Sequence, residues 1–174
     1  MVAIDTVGMR RILICLAVLA AACRSDATAS PSGSVAFTAN ATVERIVDGD
    51  TIVVRIDGRR ERVRLIGIDT PETKKENTPV QCFGPEATAY TTSLLPEGTP
   101  IHLERDVVAR DDFGRLLAYV YVAADRTFVN LEVIRHGFGR PLTIRPNVAH
   151  SEELIDAARV ADQQNIGLWQ QCTG

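Results

Sequence analysis

Short apolar segments separated by polar turns fill the chain from residue 41 to residue 66. Residues 41–54 place apolar, mostly β-branched side chains among polar ones, and an Asp-Gly turn at residues 48–50 divides them into two segments. A second Asp-Gly turn at residues 57–58 precedes residues 61–66, which alternate polar and apolar side chains. A period of two predicts strands, and Asp-Gly between two such segments is typical of a hairpin. The core positions predicted for the first two strands are Val43, Ile46, Ile52 and Val54.

The second half of the chain alternates further apolar segments with helix signals. Pro85 and Glu86 suit the first turn of a helix, because proline is tolerated there and an acidic side chain favours the positive helix end. Gly137 predicts the end of a second helix, and Ser151 opens a third. The predicted elements are strands at 101–107 and 116–122 and helices at 84–95, at 129–136 and from 151 onward. Five short strands combined with helices predict an α+β fold, a small β-barrel with helices packed on it.

The first 38 residues differ from the rest in composition. Arg10 and Arg11 precede an apolar stretch at residues 12–22, which is too short to span a membrane comfortably and ends in small residues suited to cleavage. We interpret residues 1–22 as a secretory signal peptide, the alternative being a buried helix of the fold. Residues 23–38 are rich in Ser, Ala, Thr and Gly and predict a flexible linker, which leaves residues 39–174 as the folded domain.

Cys23 directly follows the predicted signal peptide. Residues 19–23 resemble a bacterial lipobox, in which the cysteine becomes a lipidated first residue, although Ala20 stands where that pattern usually has a leucine. Lipidation of Cys23 would anchor the exported protein to a membrane. The alternative is ordinary cleavage, which would leave a freely secreted protein.

The overall charge of the chain is acidic, with 19 basic and 22 acidic residues and a net charge of −3. Loss of residues 1–22 would leave 17 basic and 21 acidic residues, a net charge of −4. This balance is unfavourable for a protein that gains affinity for nucleic acid by releasing counterions. One hairpin nevertheless concentrates five arginines, which can form either a solvated charged face or a substrate track: Arg55, Arg59, Arg60, Arg62 and Arg64.

Two acidic turns carry the candidate chemistry. Residues 48–51 read Asp-Gly-Asp-Thr, residues 69–72 read Asp-Thr-Pro-Glu, and each turn follows a predicted strand. Arg64 precedes the second turn by five residues, and Arg115 lies downstream in Asp-Phe-Gly-Arg. Carboxylate and carbonyl oxygens suit Ca²⁺ or Mg²⁺, a glutamate can accept a proton from water, and arginines bind phosphate in forked geometry. The combination predicts a site that cleaves phosphodiester bonds.

Four sequence blocks, at residues 47–51, 64–72, 84–87 and 112–119, resemble the staphylococcal nuclease (thermonuclease) family in order and spacing. The resemblance extends from about Ala41 to Trp169. It implies a five-stranded OB-type barrel with three helices.

The resemblance also implies roles for single residues. Asp50, Asp69 and the backbone carbonyl of Thr70 would bind one Ca²⁺; the alternative is that the two aspartates only stabilise their turns. Glu72 would act as general base or orient the attacking water, the alternative being a surface carboxylate. Arg64 and Arg115 would contact the scissile phosphate, a role that a structural ion pair does not exclude. Asp48 is either an outer metal ligand or the first residue of an Asx-type turn.

The substrate-stacking surface departs from that of the family's type member. Phe113 replaces a tyrosine, so the ring remains but its hydroxyl is lost, and residues 137–146 contain no tyrosine where the type member has two. We still expect Phe113 to bind substrate. Because base stacking contributes about 1–3 kcal/mol per base, the change affects nucleotide affinity rather than the chemistry.

Two cysteines lie in the folded domain, Cys82 and Cys172. In an exported protein an even pair predicts a disulfide, and two unpaired thiols are the alternative. A zinc site is disfavoured, because neither cysteine has Cys or His partners at ligand spacing.

Together these observations predict an exported, monomeric, Ca²⁺-dependent nuclease that hydrolyses DNA and RNA with water as nucleophile. The first alternative is a catalytically inactive OB-type module that binds nucleic acid or protein. The presence of both arginines and all three acidic site residues favours the enzyme. A structural lipoprotein of the cell envelope is the remaining alternative and depends only on Cys23 and the linker.

Overall fold

A computed structural model of the chain describes residues 37–73 and 79–172. Within these residues the elements in chain order are β1 (Ala41–Asp48), β2 (Thr51–Ile56), β3 (Arg59–Leu65), β4 (Gly67–Asp69), α1 (Gly84–Leu94), β5 (Pro100–Glu104), β6 (Leu116–Val122), α2 (Val129–Arg135), β7 (Arg140–Leu142), α3 (Ser151–Gln163) and α4 (Leu168–Gln171).

Five strands form a closed barrel in the order β1-β2-β3-β6-β5. The pairs β1–β2 and β2–β3 are the predicted antiparallel hairpins, β5 pairs antiparallel with both β1 and β6, and the parallel pair β3–β6 closes the barrel. The predicted α+β class and OB-type barrel are confirmed. The structure adds a two-stranded sheet, β4–β7, and the short helix α4 to the predicted set.

The barrel interior is filled by the apolar positions of the alternating strands. Val43, Ile52 and Val54 are buried as predicted, whereas Ile46 is only half-buried. The reason is that the β1–β2 register shifts on either side of Ile46, and such bulges interrupt the alternation of side chains between the two faces. Helix α2 packs against β6 of the barrel, and α3 packs against α2 and the β4–β7 sheet, with Leu154 of α3 fully buried in the core.

The strand predicted at residues 101–107 ends at Glu104. Asp106 stops it, because its carboxylate accepts hydrogen bonds from the Val107 N–H at 2.9 Å, the Ala149 N–H at 3.0 Å and the Tyr119 hydroxyl at 3.2 Å. A side chain that binds neighbouring backbone competes with continued strand pairing. Asp106 thereby ties the end of β5 to the segment before α3.

The predicted signal peptide and Cys23 lie outside the described residues. Phe37, at the end of the predicted linker, belongs to the folded unit: its N–H donates to the Ala123 carbonyl at 3.0 Å and its ring stacks on His102. No helix in the part of the chain that the structure describes is long and apolar enough to cross a membrane.

Candidate active site

The two acidic turns meet beside β3. A Cβ added to Gly49 would lie 2.7–2.9 Å from the side chain of Thr70, so only glycine permits this approach of the turns. The hydroxyl of Thr91 in α1 donates to the Gly49 carbonyl at 2.7 Å and anchors the first turn from the other side. The second turn extends from β4, which pairs Asp69 with Arg140 of β7.

Asp50 is buried, with 6% of its surface exposed, and its carboxylate is fully engaged. Oδ2 accepts hydrogen bonds from the Thr70 N–H at 2.9 Å and the Thr70 hydroxyl at 3.1 Å. Oδ1 accepts one from the Thr51 hydroxyl at 3.1 Å and forms an ion pair with Arg64. A carboxylate offers about four lone-pair positions. A cation that binds Asp50 must therefore replace at least one of these contacts.

Arg64 connects the two aspartates that the sequence predicts as metal ligands. Its side chain is only 13% exposed; it pairs with Asp50, and Nη2 donates to Asp69 Oδ1 at 2.9 Å and to the Ile68 carbonyl at 3.2 Å. The Asp69 side chain, in contrast, is 60% exposed. Burial lowers the pKa of Arg64 below its usual range, and the charge of Asp69 opposes that shift.

Asp48 forms the Asx-type turn that the sequence offers as one of its two roles. Its Oδ1 accepts the Asp50 N–H at 3.3 Å, as in an Asx-type turn. Burial raises its pKa above the usual range, and the negative charge of Glu72 raises it further. Asp48 therefore stabilises the turn and lines the same cleft as Glu72, while a role as outer metal ligand stays a prediction.

Gln81 positions the segment that carries Glu72, a role that the sequence does not reveal. The Glu72 N–H donates to Gln81 Oε1 at 2.9 Å, and the Gln81 N–H donates to the Glu72 carbonyl at 2.9 Å. One carboxylate oxygen of Glu72 accepts the Thr73 N–H at 2.9 Å. Gln81 lies nine residues from Glu72 in a segment whose composition predicts only a polar loop.

The neighbouring residue, Cys82, forms a disulfide with Cys172. The structure thus contains the pair that the sequence predicts. The bridge joins the loop before α1 to the residue after α4, so it holds Gln81 and its contact with Glu72 against the end of the described chain.

Arg115 is held by an Asx-type turn. The Asp111 Oδ1 accepts the N–H groups of Phe113 at 3.0 Å and of Arg115 at 2.9 Å, while its Oδ2 accepts Arg115 Nε–H at 2.7 Å. Asp111 thereby orients the guanidinium through its Nε. Phe113 is 85% exposed, with the Arg115 guanidinium carbon 5.4 Å from its ring centroid.

The predicted catalytic and metal-binding residues line one polar cleft of about 290 Å³. Its lining residues are Asp48, Asp50, Thr51, Arg64, Asp69, Thr70, Glu72, Gln81 and Arg115. A second, more apolar cleft of about 360 Å³ shares Arg64 and Arg115 with it and contains Phe113, Leu142 and Ile144. Leu142 and Ile144 are not predicted, because nothing in sequence distinguishes an exposed aliphatic residue from a core one.

The donor atoms of the polar cleft are chemically suited to a hard divalent cation, since they are carboxylate, carbonyl and hydroxyl oxygens. The carboxylates of Asp48 and Glu72 repel each other, and a bound cation would offset this repulsion. In the arrangement seen here, no three Asp, Glu, His or Cys side chains of the described residues converge closely enough to hold a metal. In this arrangement the guanidinium of Arg64 pairs with both Asp50 and Asp69.

Comparison with known proteins adds independent evidence. A family described as "Staphylococcal nuclease homologue" matches residues 62–171. The chain is 39% identical over 127 residues to a thermonuclease of Staphylococcus hyicus, covering 73% of each chain. It is 40% identical over 128 residues to a thermonuclease of Staphylococcus intermedius, covering 74% of each. Endonuclease YncB of Bacillus subtilis (strain 168) is 36% identical over 132 residues, which are 75% of this chain and 61% of that protein.

Proposed function

This chain belongs to the staphylococcal nuclease family, and from that premise we propose that it is a Ca²⁺-dependent nuclease that hydrolyses DNA and RNA with water as nucleophile. Its predicted class, a phosphodiester-hydrolysing enzyme, is confirmed by the family and by relatives named thermonuclease and endonuclease. The observation that carries the finer proposal is the polar cleft, which combines acidic residues, Glu72 and two arginines.

In this proposal Asp50, Asp69 and the Thr70 carbonyl hold Ca²⁺, and the other contacts of Asp50 keep its carboxylate in place. When bound, the ion polarises the phosphate and helps to position the water. Arg64 contacts both aspartates, and we propose that it would turn from them toward the phosphate if they held a cation.

Glu72 and the arginines carry the remaining steps. Glu72 accepts the proton of the attacking water, and the two hydrogen bonds between the Glu72 backbone and Gln81, one to the Gln81 side chain and one from its backbone N–H, support its placement. Arg64 and Arg115 stabilise the charge that develops on the phosphate oxygens. Phosphate is common to DNA and RNA, which supports activity on both. An inactive binding module would not need the full set of two arginines and three acidic residues in one cleft.

We also propose that the protein is exported and acts as a monomer, with Cys23 as a candidate lipid anchor. The apolar stretch at residues 12–22 and the Cys82–Cys172 disulfide support export, because disulfides persist in oxidising compartments.

The test is cleavage of single-stranded DNA and of RNA by the full chain in Ca²⁺, in excess EGTA, and after Ca²⁺ is restored. We expect cleavage of both substrates with Ca²⁺, its collapse in EGTA and its return with Ca²⁺. Arg115→Gln should lose most of the activity, whereas the control Arg159→Gln, which removes an exposed arginine of α3, should retain it. Undiminished cleavage in EGTA would overturn the metal assignment, and no cleavage in Ca²⁺ would overturn the function.

A further inference from the structure

One face of β3 carries a row of arginines that leads out of the polar cleft. Successive side chains of a strand point to opposite faces, so Arg60, Arg62 and Arg64 share one face. Val63 and Leu65 of the same strand belong to the barrel core, which places the arginine row on the outside of the barrel. Arg64 lines the polar cleft, so the row begins at the site.

The strand register extends this row into a patch. Arg62 lies opposite Val53 of β2, and Val53 lies opposite Arg45 of β1. Arg60 lies opposite Arg55 of β2. We call the outer face formed by Arg45, Arg55, Arg60 and Arg62 the arginine face; all four residues are exposed.

The charge of the arginine face is only partly compensated. Glu44 pairs with Arg55 at 3.0 Å and with Arg60. Among the described residues, no carboxylate lies within ion-pair distance of Arg45 or Arg62. Four guanidinium groups therefore face one carboxylate, in a chain whose net charge is −3.

We propose that the arginine face is a phosphate track, which binds the backbone of a nucleic-acid strand next to the scissile phosphate, with Arg45 and Arg62 as its main contacts. This inference rests on the proposed function. Two residues of a strand span about 6.6–6.8 Å, which is similar to the spacing of successive phosphates in an extended strand. A phosphate beside the one at Arg64 would thus come within reach of Arg62.

Geometry favours a nucleic-acid strand over a solvated charged face and over an anionic membrane surface. A solvated face needs no alignment with the site, whereas this row shares a strand face with Arg64. Binding to an anionic membrane surface likewise does not require that the row of arginines begin at the polar cleft. A bound strand that runs through the cleft must instead pass the arginines adjacent to it.

The test measures binding of a single-stranded 12-mer DNA by fluorescence anisotropy at several salt concentrations. The Glu72→Gln background slows cleavage, and EGTA in the binding buffer suppresses the remainder. Arg45→Gln and Arg62→Gln remove the two charges of the arginine face that have no carboxylate of the described residues within ion-pair distance. The matched control is Arg59→Gln, which removes an exposed arginine from the other face of the same strand.

Each phosphate contact to a single strand contributes about 0.7 to the slope of log affinity against log salt. We expect Arg45→Gln and Arg62→Gln each to lower the slope by about that amount, which corresponds to about five-fold weaker binding at 0.1 M salt. Arg59→Gln should leave the slope unchanged, and all variants should bind a dinucleotide as the background protein does.

The phosphate-track proposal would be overturned if Arg45→Gln and Arg62→Gln left the salt slope unchanged. It would also be overturned if Arg59→Gln lowered the slope and the affinity by the same amount as they do. Variants that bind the 12-mer normally but lose affinity for vesicles containing phosphatidylglycerol would overturn it too. Failure of the proposed function gives a different result from failure of the phosphate track. If the proposed function is wrong, the chain with Glu72 intact leaves the substrate uncut in Ca²⁺, whether or not Arg62 contributes to binding of the 12-mer.

Discussion

Asp50 and Asp69 contact the same guanidinium from very different surroundings. Asp50 is buried and accepts three hydrogen bonds from threonines, while the Asp69 side chain is 60% exposed. The carboxylate of Asp50 therefore has a structural role that the carboxylate of Asp69 lacks. Substitution of each by its amide separates metal binding from folding.

We expect Asp50→Asn to reduce both cleavage and stability, and Asp69→Asn to reduce cleavage with little loss of stability. An amide in place of the Asp50 carboxylate cannot accept all the bonds that the carboxylate accepts, and buried unsatisfied donors cost about 1–3 kcal/mol. Asp69 is 60% exposed, and Arg64 keeps its pair with Asp50 when Asp69 is replaced, so loss of this ion pair should cost about 1 kcal/mol or less. Urea denaturation in EGTA measures the stability, and calorimetric titration with Ca²⁺ measures the affinity. Equal stabilities of the two variants would contradict this division of roles.

The sequence predicts which residues come together in the polar cleft better than it predicts what holds them there. Asp50, Asp69, Glu72, Arg64 and Arg115 stand in short local motifs, and the structure places them in one cleft. The role of Gln81 is not predicted, because it depends on a hydrogen bond with Glu72, nine residues away in the chain. The role of Asn130 is not predicted either: this residue is fully buried and bonds the Ile66 carbonyl at 2.8 Å and the Val120 N–H at 2.9 Å, groups brought together only by the fold.

At the scale of elements, alternation and Asp-Gly turns predict β1, β2 and β3 because those hairpins are local. The parallel β3–β6 closure and the β4–β7 pair are not visible in the sequence, since each joins segments far apart in the chain. β4 and β7 have three residues each, which is too short for a periodic pattern.

The Cys82–Cys172 disulfide joins residues 90 apart in the chain. We expect Cys82→Ser with Cys172→Ser to lower the free energy of unfolding by about 2–5 kcal/mol, because the reduced unfolded chain gains conformational freedom. Activity should fall as well, since Gln81 and its contacts with Glu72 adjoin the bridge. Thermal denaturation and cleavage rates measure both effects.

The double-serine variant is also the control for reduction. Dithiothreitol should destabilise the native chain to the level of this variant and leave the variant unchanged. Two alkylatable thiols in freshly isolated native protein would reject the bridge.

Asp106 links β5 to the segment before α3, and the stability that this link contributes depends on pH. The hydrogen bond from the Ala149 N–H lowers the pKa of Asp106 below its usual range, with partial opposition from burial. Stability from this carboxylate is therefore complete above the unfolded pKa of about 3.9 and is lost as pH falls through the folded pKa. Asp106→Asn should be less stable than the native chain at pH 7, and the difference should shrink toward pH 3.

Urea denaturation at pH 7, 5 and 3 checks this sign. Asp162→Asn, an exposed substitution in α3, provides the control and should show no such trend. A stability difference for Asp106→Asn that stays constant with pH would contradict the role of the carboxylate charge.

At the scale of the whole molecule, the arrangement of charge matters more than its sum. The chain is acidic overall, yet the polar cleft and the arginine face place guanidinium groups where a phosphate backbone would pass. Attachment to a membrane, if Cys23 is lipidated, would be a separate property, and Cys23 lies outside the described residues.

If Cys23 is lipidated, the exported protein should partition with membranes and incorporate labelled fatty acid in a bacterial host. Stable attachment requires more than one acyl chain, because a single chain gives only marginal binding. Cys23→Ser should then release or misprocess the protein. Soluble, unlabelled native protein would show instead that an ordinary signal peptidase cleaves here.

The single-turnover cleavage rate of Glu72→Gln in saturating Ca²⁺ tests most directly whether the polar cleft hydrolyses phosphodiester bonds. Removal of a general base typically lowers a rate by about 10²–10⁴-fold, and we expect a loss in that range with the fold and the oligonucleotide affinity preserved. Glu86→Gln, which changes an exposed glutamate in the first turn of α1, should cleave at the native rate. A near-native rate for Glu72→Gln would contradict the proposed mechanism, because Glu72 would then be a surface carboxylate and the proton would leave by another route.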